Sequence, residues 1–325
     1  MALTPNDSKH ALQIQAGITG RLAGHNFETS LAQIINNLPC PIDQNPLPEN
    51  LIYGSPEILI IKKALKVLGW SRCHSVEAVA LGSLATAEEG KKWLEVHGMT
   101  VRACKSDILL TLYNNDLSLM ETVGVSVKQC NNKTPTNAQL YFTTARAFCQ
   151  LLRNNGIPVS DEAVNALRHF CGDNGFAPRD NPASLVGRVT DPRRFFWEEV
   201  NEVERLELES VFSNYQAEIT RLLLQKAYIN DPYAPELLLH LTKKMSVDQP
   251  QEFALYTIDE LVELSCKYAG FEKKKYSVRK GSYKDPAGIQ HDAPRFGIVQ
   301  MQRGGQAQHP EQLQFNLQAG YFYKI

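Results

Sequence analysis

The sequence predicts an α/β protein in which a small mixed sheet is flanked by helices and a helical subdomain occupies the middle of the chain. Two extended segments, 107–113 and 122–129, are rich in β-branched and aliphatic residues and are separated by an Asn-Asn-Asp turn, which predicts a hairpin. Helical spacing of apolar residues precedes this hairpin and returns over 160–270. Helices on both sides of a central hairpin favour the α/β class.

The first half of the chain contains four predicted helices. The first 25 residues are polar and turn-rich, and we expect them to be irregular. Ser55-Pro56-Glu57 is typical of a helix start, and Gly69 is typical of a helix stop. The predicted helices span 26–37, 55–68, 86–98 and 138–153.

The second half begins with the mostly helical stretch and ends in a predicted β-ribbon. Asp191-Pro192 opens a long helix through about residue 226, and Thr257 with Glu260 forms a capping box. Residues 296–303 and 312–318 are predicted strands. The predicted domains are 1–156 with the hairpin, 157–270 as the helical subdomain, and 271–325 as a basic loop and ribbon that pack back on the first.

Composition excludes several classes of protein. Apolar residues make up 43% and charged residues 21% of the 325 residues, which is ordinary for a globular chain and too apolar for a disordered one. The chain has no run of about 18 apolar residues, and its start lacks the pattern of a secretory signal. The seven cysteines contain no C-x-x-C pair and are expected to be free thiols. We therefore expect a cytoplasmic protein without a membrane span.

Charge is unevenly distributed along the chain. Residues 191–265 contain 15 acidic and 7 basic side chains, whereas residues 267–325 contain 10 basic and 4 acidic ones. An acidic block followed by a basic tail indicates either a surface that faces a polyanion or a solvated lysine-rich loop. Charge alone leaves both interpretations open.

Asp107 and Lys128 are the polar residues at the open end of the predicted hairpin. Asp107 starts one strand and Lys128 ends the next, so a turn near 114–119 brings both to the same end. Ser126 lies two residues before Lys128 and therefore shares its face of the strand. A carboxylate and an ammonium are costly to desolvate, which makes this pair a candidate site.

Glu28 is the third candidate, because it borders the apolar stripe of the first helix. An acid in that position reaches the rim of a sheet on which the helix packs. Two acids and a lysine are the groups that metal-dependent phosphodiester hydrolysis needs. Mg²⁺ prefers carboxylate oxygens and lowers the pKa of a bound water, and the lysine steadies charge on the phosphate.

At these residues the chain resembles the PD-(D/E)XK nuclease superfamily and, within it, the type II restriction endonucleases. The resemblance spans roughly residues 20–155 and rests on H-N-F-E at 25–28, S-D-I at 106–108 and S-V-K at 126–128. It implies that Asp107, Glu28 and the carbonyl of Val127 are ligands of Mg²⁺ and that Lys128 is the catalytic lysine.

One position departs from the family pattern. The usual acid two residues before the lysine is Ser126 here. We expect Glu28 to supply the missing carboxylate, with Glu121 and Asp116 as the alternatives.

Candidate DNA contacts lie in two places. Residues that directly follow the lysine strand would lie beside the scissile backbone, and the C-terminal ribbon and the basic segment before it offer amide and cationic side chains. Asn and Gln can bond adenine edges, Arg can bond guanine, and Lys binds phosphates. The candidates are Asn131, Asn132, Lys133, Gln302, Arg303, Gln306 and Lys280.

The expected function is Mg²⁺-dependent, sequence-specific cleavage of double-stranded DNA by a type II site-specific deoxyribonuclease. A homodimer on a palindromic site is the expected assembly, since two-fold DNA favours a two-fold protein. The alternatives are a repair or nicking nuclease with the same core and a non-catalytic, largely helical DNA-binding or scaffold protein.

Overall fold

The computed structural model describes residues 8–81, 94–101, 104–114, 119–171, 196–226, 231–268, 271–276, 291–303 and 312–323. The helices of this part are α1 Ser8–Asn36, α2 Glu57–Leu68, α3 Ala145–Asn154, α4 Asp161–Cys171, α5 Glu202–Asn214, α6 Gln216–Gln225 and α7 Ile258–Lys267. The strands are β1 Ile42–Asp43, β2 Leu51–Tyr53, β3 Arg72–Cys73, β4 Ser75–Ala80, β5 Leu94–Val96, β6 Met99–Val101, β7 Ile108–Tyr113, β8 Met120–Gln129, β9 Ala138–Thr144, β10 Pro235–Lys243, β11 Glu252–Thr257, β12 Phe271–Tyr276, β13 His291–Phe296, β14 Val299–Arg303 and β15 Gln312–Leu317.

The chain divides into two compact units, each assembled from separate segments. The first unit contains residues 1–138, 224–261 and 322–325, and the second contains 139–223 and 262–321. This division differs from the predicted domain boundaries in two respects. Strands β10 and β11, from the predicted helical subdomain, belong to the first unit, and the C-terminal ribbon belongs to the sheet of the second unit.

The first unit is built on a mixed six-stranded sheet with the order β2-β11-β10-β8-β7-β4. Strands β4, β7 and β8 form an antiparallel meander, and β10 lies parallel to β8 on its other side. The predicted α/β class, the mixed sheet with flanking helices and the β7–β8 hairpin are thus confirmed. Because β8 and β10 are parallel, their carboxyl ends meet at one edge of the sheet.

Helices α1 and α2 cover this sheet through a continuous apolar core. Leu31 and Ile35 of α1 join Ile61 of α2 and the strand residues Val125 and Leu239 in one buried cluster. Each fully buried aliphatic side chain of this kind contributes about 1.5–3 kcal/mol relative to an exposed one. Gly69 ends α2 in the left-handed conformation, as its predicted role as a helix stop requires.

Asn36 fixes the last turn of α1 against the edge strand β4. Its amide nitrogen donates to the carbonyl of Ala78 at 2.9 Å, and its amide oxygen accepts from the Ala78 backbone nitrogen at 2.7 Å. The side chain thereby pairs with the strand as a neighbouring backbone would. Since eight helical residues span about 12 Å, this contact also sets the position of Glu28 along the sheet.

The second unit contains a five-stranded sheet with the order β12-β13-β14-β15-β9. Strands β14 and β15 pair antiparallel, which confirms the predicted ribbon. The single predicted strand over 296–303 is instead two strands, because Gly297 adopts a φ of 58° and turns the chain between β13 and β14.

Three predictions of local structure were wrong for identifiable reasons. The helix begins at Ser8 instead of residue 26, since residues 8–25 contain many good helix formers besides their glycines. Half of the predicted helix 138–153 is strand β9, because its aromatic and β-branched residues favour strands. The leucine run 237–239 was predicted to be helical but lies in strand β10. A central strand that is buried on both faces is also continuously apolar, so the run does not indicate a helix.

The predicted helix starts have different outcomes. Thr257 and Glu260 form the expected capping box, with reciprocal bonds of 2.9 and 3.1 Å. The predicted helix 86–98 overlaps β5 at its end, and its capping box at Thr86 lies outside the described residues, as does the helix start at Asp191.

The seven cysteines are free, and Cys40 and Cys266 are exposed. Within the described ranges, every helix is too short or too polar to cross a membrane.

Candidate functional site

The carboxylate of Asp107 is anchored at the open end of the β7–β8 hairpin. Its backbone nitrogen donates to the carbonyl of Val125 at 2.9 Å, which continues the antiparallel ladder beyond Ile108. Its Oδ2 accepts from the Val127 backbone nitrogen at 2.6 Å and from the Ser126 hydroxyl at 3.3 Å. Oδ1 accepts no hydrogen bond from the described residues, so one oxygen of Asp107 remains open to a further ligand.

Lys128 lies against the same carboxylate. Its Nζ is 3.5 Å from Asp107 Oδ2, 2.9 Å from Ser126 Oγ and 3.0 Å from the carbonyl of Val127. The side chains of Lys128 and Asp107 are 18% and 24% exposed, so both are screened from water but accessible from outside. Asp107 and Lys128 therefore meet at one end of the hairpin, as predicted, and Ser126 lies on the same face.

Glu28 approaches this pair from helix α1. Its side chain is 6% exposed, and its Oε2 is fully buried without a hydrogen-bond partner among the described residues. Burial and the neighbouring Asp107 carboxylate raise the pKa of Glu28 to about 7, and the Lys128 ammonium partly opposes this rise. Buried carboxylates normally have partners, so an unbonded one beside a second acid is the environment that a cation would satisfy.

The other candidate acids do not occupy this position. Glu121 lies seven residues before Lys128 on β8, which places it roughly 23 Å away along the strand. It is exposed opposite Leu112 near the hairpin turn, and its charge helps to raise the pKa of Glu236 instead. Asp116 lies outside the described residues. Of the described candidates, Glu28 alone neighbours both Asp107 and Lys128.

A short segment before β10 holds the chain that leads into Asp107. The hydroxyl of Ser106 donates to the carbonyl of Tyr233 at 2.8 Å. Asp231 accepts from the backbone nitrogens of Lys105 at 2.5 Å and of Tyr233 at 3.0 Å. These contacts join two segments that are far apart in the chain, so Asp107 is positioned by a rigid frame.

Gly124 is required by this frame. A Cβ at that position would collide with Ser106 Oγ and lie 2.7 Å from the carbonyl oxygen of Ala234. Because one of these atoms is backbone, Gly124→Ala should lower the free energy of unfolding by about 1–3 kcal/mol, as overpacked cores do. Chemical denaturation measures the change, and an unchanged midpoint would contradict the close packing. Gly24→Ala is the contrasting control and should not lower stability, since Gly24 is helical and its Cβ would meet only Glu28 Oε1, at 3.8 Å.

Two further ionisable residues near the site were missed by the sequence analysis. Burial and the Lys128 ammonium lower the pKa of Lys105 to about 7, and Asp107 and Asp231 act in the opposite sense. His240 is buried opposite Lys128 on the parallel strand β10, and burial lowers its pKa to about 4. Lys105 could have been found from its place two residues before Asp107. His240 carries no local signal, because the pairing of β10 with β8 is long-range.

The predicted DNA contacts have different surroundings. Asn131, Asn132 and Lys133 are exposed in the loop after β8, in the first unit. In the second unit, the Gln302 amide accepts from Asn316 at 3.2 Å, and the Arg303 guanidinium lies 5.0 Å from the ring centroid of Phe196 and 5.6 Å from that of Phe170. Gln306 and Lys280 lie outside the described residues.

The donor set at the hairpin end fits a hard divalent cation. It offers free carboxylate oxygens on Glu28 and Asp107 and the carbonyl of Val127, which are the oxygen ligands that Mg²⁺ uses while retaining several waters. In the described part of the chain, no three His, Cys, Asp or Glu side chains cluster as a complete metal cage. A two-carboxylate site therefore suits Mg²⁺ better than zinc, which takes three or four protein ligands.

Comparisons with known proteins do not assign the chain to a family. No protein-family model matches the chain, and no curated protein matches it.

Proposed function

We propose that the protein is a Mg²⁺-dependent endonuclease that cleaves double-stranded DNA at specific sites, in the manner of a type II restriction enzyme. The observation that carries the proposal is the position of Glu28. This acid is buried, has an unbonded Oε2, and lies beside Asp107 and Lys128 although the three residues are distant in the chain. The meander β4-β7-β8 with β10 parallel to β8 supports a nuclease core of the PD-(D/E)XK type.

The proposed roles follow from the contacts of each side chain. Glu28, Asp107 and the carbonyl of Val127 would hold Mg²⁺, which supplies charge for the phosphate and lowers the pKa of a bound water. Ser126 accepts a hydrogen bond from Lys128 and also donates to Asp107, so it keeps the ammonium at the carboxylates instead of contributing one itself.

Lys128 would donate a hydrogen bond to the scissile phosphate, where negative charge grows during attack. In the hydrolysis, a bond forms between water oxygen and phosphorus and the bond from phosphorus to the 3′ oxygen breaks. The attacking water releases one proton to solvent, and the 3′ oxygen takes up one proton from solvent as it leaves. The products are a 5′-phosphate and a 3′-hydroxyl.

The assembly and partners follow from this proposal. Double-stranded DNA is the proposed partner, and a homodimer that cuts both strands of a palindromic site is the proposed form. The expected free thiols accord with a cytoplasmic restriction enzyme.

Incubation with phage DNA tests the function directly. With Mg²⁺ we expect discrete fragments, and with EDTA we expect intact DNA. Smearing or nicking that needs the metal would favour a repair or nicking nuclease with the same core. DNA that is retarded in a gel but intact under both conditions would favour a non-catalytic DNA-binding protein and would overturn the enzymatic proposal.

A further inference from the structure

The chain segments that leave β8 and β10 run together at the edge of the sheet that carries the candidate site. Lys128 is the register partner of His240. Beyond them, the backbone nitrogen of Cys130 donates to the carbonyl of Leu241 at 2.8 Å, and the backbone nitrogen of Lys244 donates to the carbonyl of Asn132 at 2.7 Å. The loop after β8 is thus tied to the end of β10 immediately beside Lys128.

The thiol of Cys130 orders the loop that follows β8. Cys130 is buried, and its Sγ lies 3.2 Å from Thr136 Oγ1 and 3.5 Å from the carbonyl of Thr134. The loop is held at both ends, and its residues 131–134 are exposed. A pre-ordered loop loses less conformational entropy when it binds a partner.

Two lysines on these paired segments have exposed ammonium groups without partners among the described residues. Lys133 and Lys244 are exposed, and within the described ranges neither ammonium has a hydrogen-bond or ion-pair partner. The adjacent Lys243 differs, because its Nζ lies 3.0 Å from the buried Glu252 carboxylate and is occupied in the fold. Lys133 and Lys244 are therefore available to an anion from outside.

The spacing of these charges suits a DNA strand that passes over the candidate site. Lys133 is five residues from Lys128, so its backbone lies within about 17 Å of that residue even if the chain were fully extended. Successive phosphates of one strand advance about 3.4 Å along the helix axis. Lys244 is tied to Asn132 by its backbone nitrogen, so both lysines lie on the same side of Lys128, within the span of about five phosphates of one strand.

We propose that Lys133 and Lys244 form a phosphate clamp that binds the DNA backbone next to the cleaved bond. This inference rests on the proposed function, since it takes double-stranded DNA as the ligand. Lys133 was a candidate DNA contact from sequence, but its pairing with Lys244 depends on the parallel strands β8 and β10. Contacts of this kind set affinity and position on DNA and do not distinguish sequences.

Salt-dependent binding tests the clamp without requiring cleavage. A fluorescein-labelled duplex of mixed sequence is titrated with protein in EDTA at several salt concentrations, and binding is measured by fluorescence anisotropy. We expect Lys133→Gln and Lys244→Gln each to weaken binding roughly fivefold and to reduce the salt slope by about 0.9, the share of one phosphate contact. The double variant should lose about twice as much slope.

Charge-conserving and remote variants provide the controls. Lys133→Arg and Lys244→Arg should keep the slope of the unmodified protein. Lys62→Gln should also keep the slope, because the ammonium of Lys62, on helix α2, already donates to the carbonyls of Asn45 and Pro46.

The outcomes separate this inference from the proposed function. If both glutamine variants keep the full slope, or if the unmodified protein does not bind the duplex, the clamp is wrong. If the protein binds the duplex and the slopes change as expected but DNA stays intact with Mg²⁺, the clamp holds and the enzymatic proposal fails.

Discussion

Asp107→Asn and Lys128→Met are each expected to lower the rate of DNA cleavage at least about a hundredfold while DNA binding in EDTA is retained. Asparagine keeps the shape of Asp107 and can still accept from the Val127 nitrogen, but it lacks the charge that holds a cation. Methionine keeps the length of the Lys128 stem without its ammonium. Removing one group that stabilises the transition state costs about 10²–10³ in rate. Loss of a metal ligand weakens binding of the ion and therefore the charge stabilisation that the ion supplies.

Single-turnover cleavage of phage DNA measures these rates, and anisotropy measures binding. Asp43→Asn is a matched control for the loss of an acid, because Asp43 pairs with Arg72 on the surface of the same unit. We expect it to cleave normally, since exposed ion pairs contribute little to stability. Substantial cleavage by either site variant would contradict the roles given to Asp107 and Lys128.

Glu28→Gln is expected to abolish cleavage and, at the same time, to stabilise the metal-free protein above neutral pH. The pKa of Glu28 is raised from 4.5 to about 7, so the folded state holds its proton more tightly than the unfolded state does. The contribution of Glu28 to the free energy of unfolding is therefore fully present below about pH 4.5, and it is lost as the pH rises through 7. Glutamine avoids this loss, which is on the order of 3 kcal/mol for a shift of this size.

Thermal denaturation in EDTA at pH 5 and pH 8 measures the effect. The melting temperature of Glu28→Gln should exceed that of the unmodified protein at pH 8 and approach it at pH 5. Normal cleavage by Glu28→Gln would contradict its role as a metal ligand, and a melting temperature at pH 8 no higher than that of the unmodified protein would contradict its burial without a partner. Glu121→Gln is the matched control and should cleave DNA normally, because Glu121 lies at the far end of β8. An inactive Glu121→Gln beside an active Glu28→Gln would show that the wrong acid was chosen.

Local features of the site could be predicted because each depends on a short stretch of chain. The β7–β8 hairpin follows from its β-branched segments and turn, and its geometry alone brings Asp107, Ser126 and Lys128 to one end. Glu28 could be selected from its place beside the apolar stripe of a helix. These predictions rest on the helical period of apolar residues and on the alternation of side chains along strands.

The features that could not be predicted depend on residues far apart in the chain. The pairing of β10 with β8 brings in His240 and Lys244, although the apolar pattern of residues 235–243 predicts a helix. A buried strand and a buried helix are both continuous apolar runs, so only the partner strand distinguishes them. The two-unit division was missed for the same reason, because each unit is made of separate segments.

The most direct test of the account is the position of a bound metal ion. Crystals soaked in Mn²⁺, which substitutes for Mg²⁺ and scatters anomalously, would reveal it as a peak in the anomalous difference map. We expect a peak within coordination distance of carboxylate oxygens from both Glu28 and Asp107, with the Val127 carbonyl as a third ligand. A peak that contacts neither acid, or an ion bound elsewhere while these carboxylates stay bare, would contradict it.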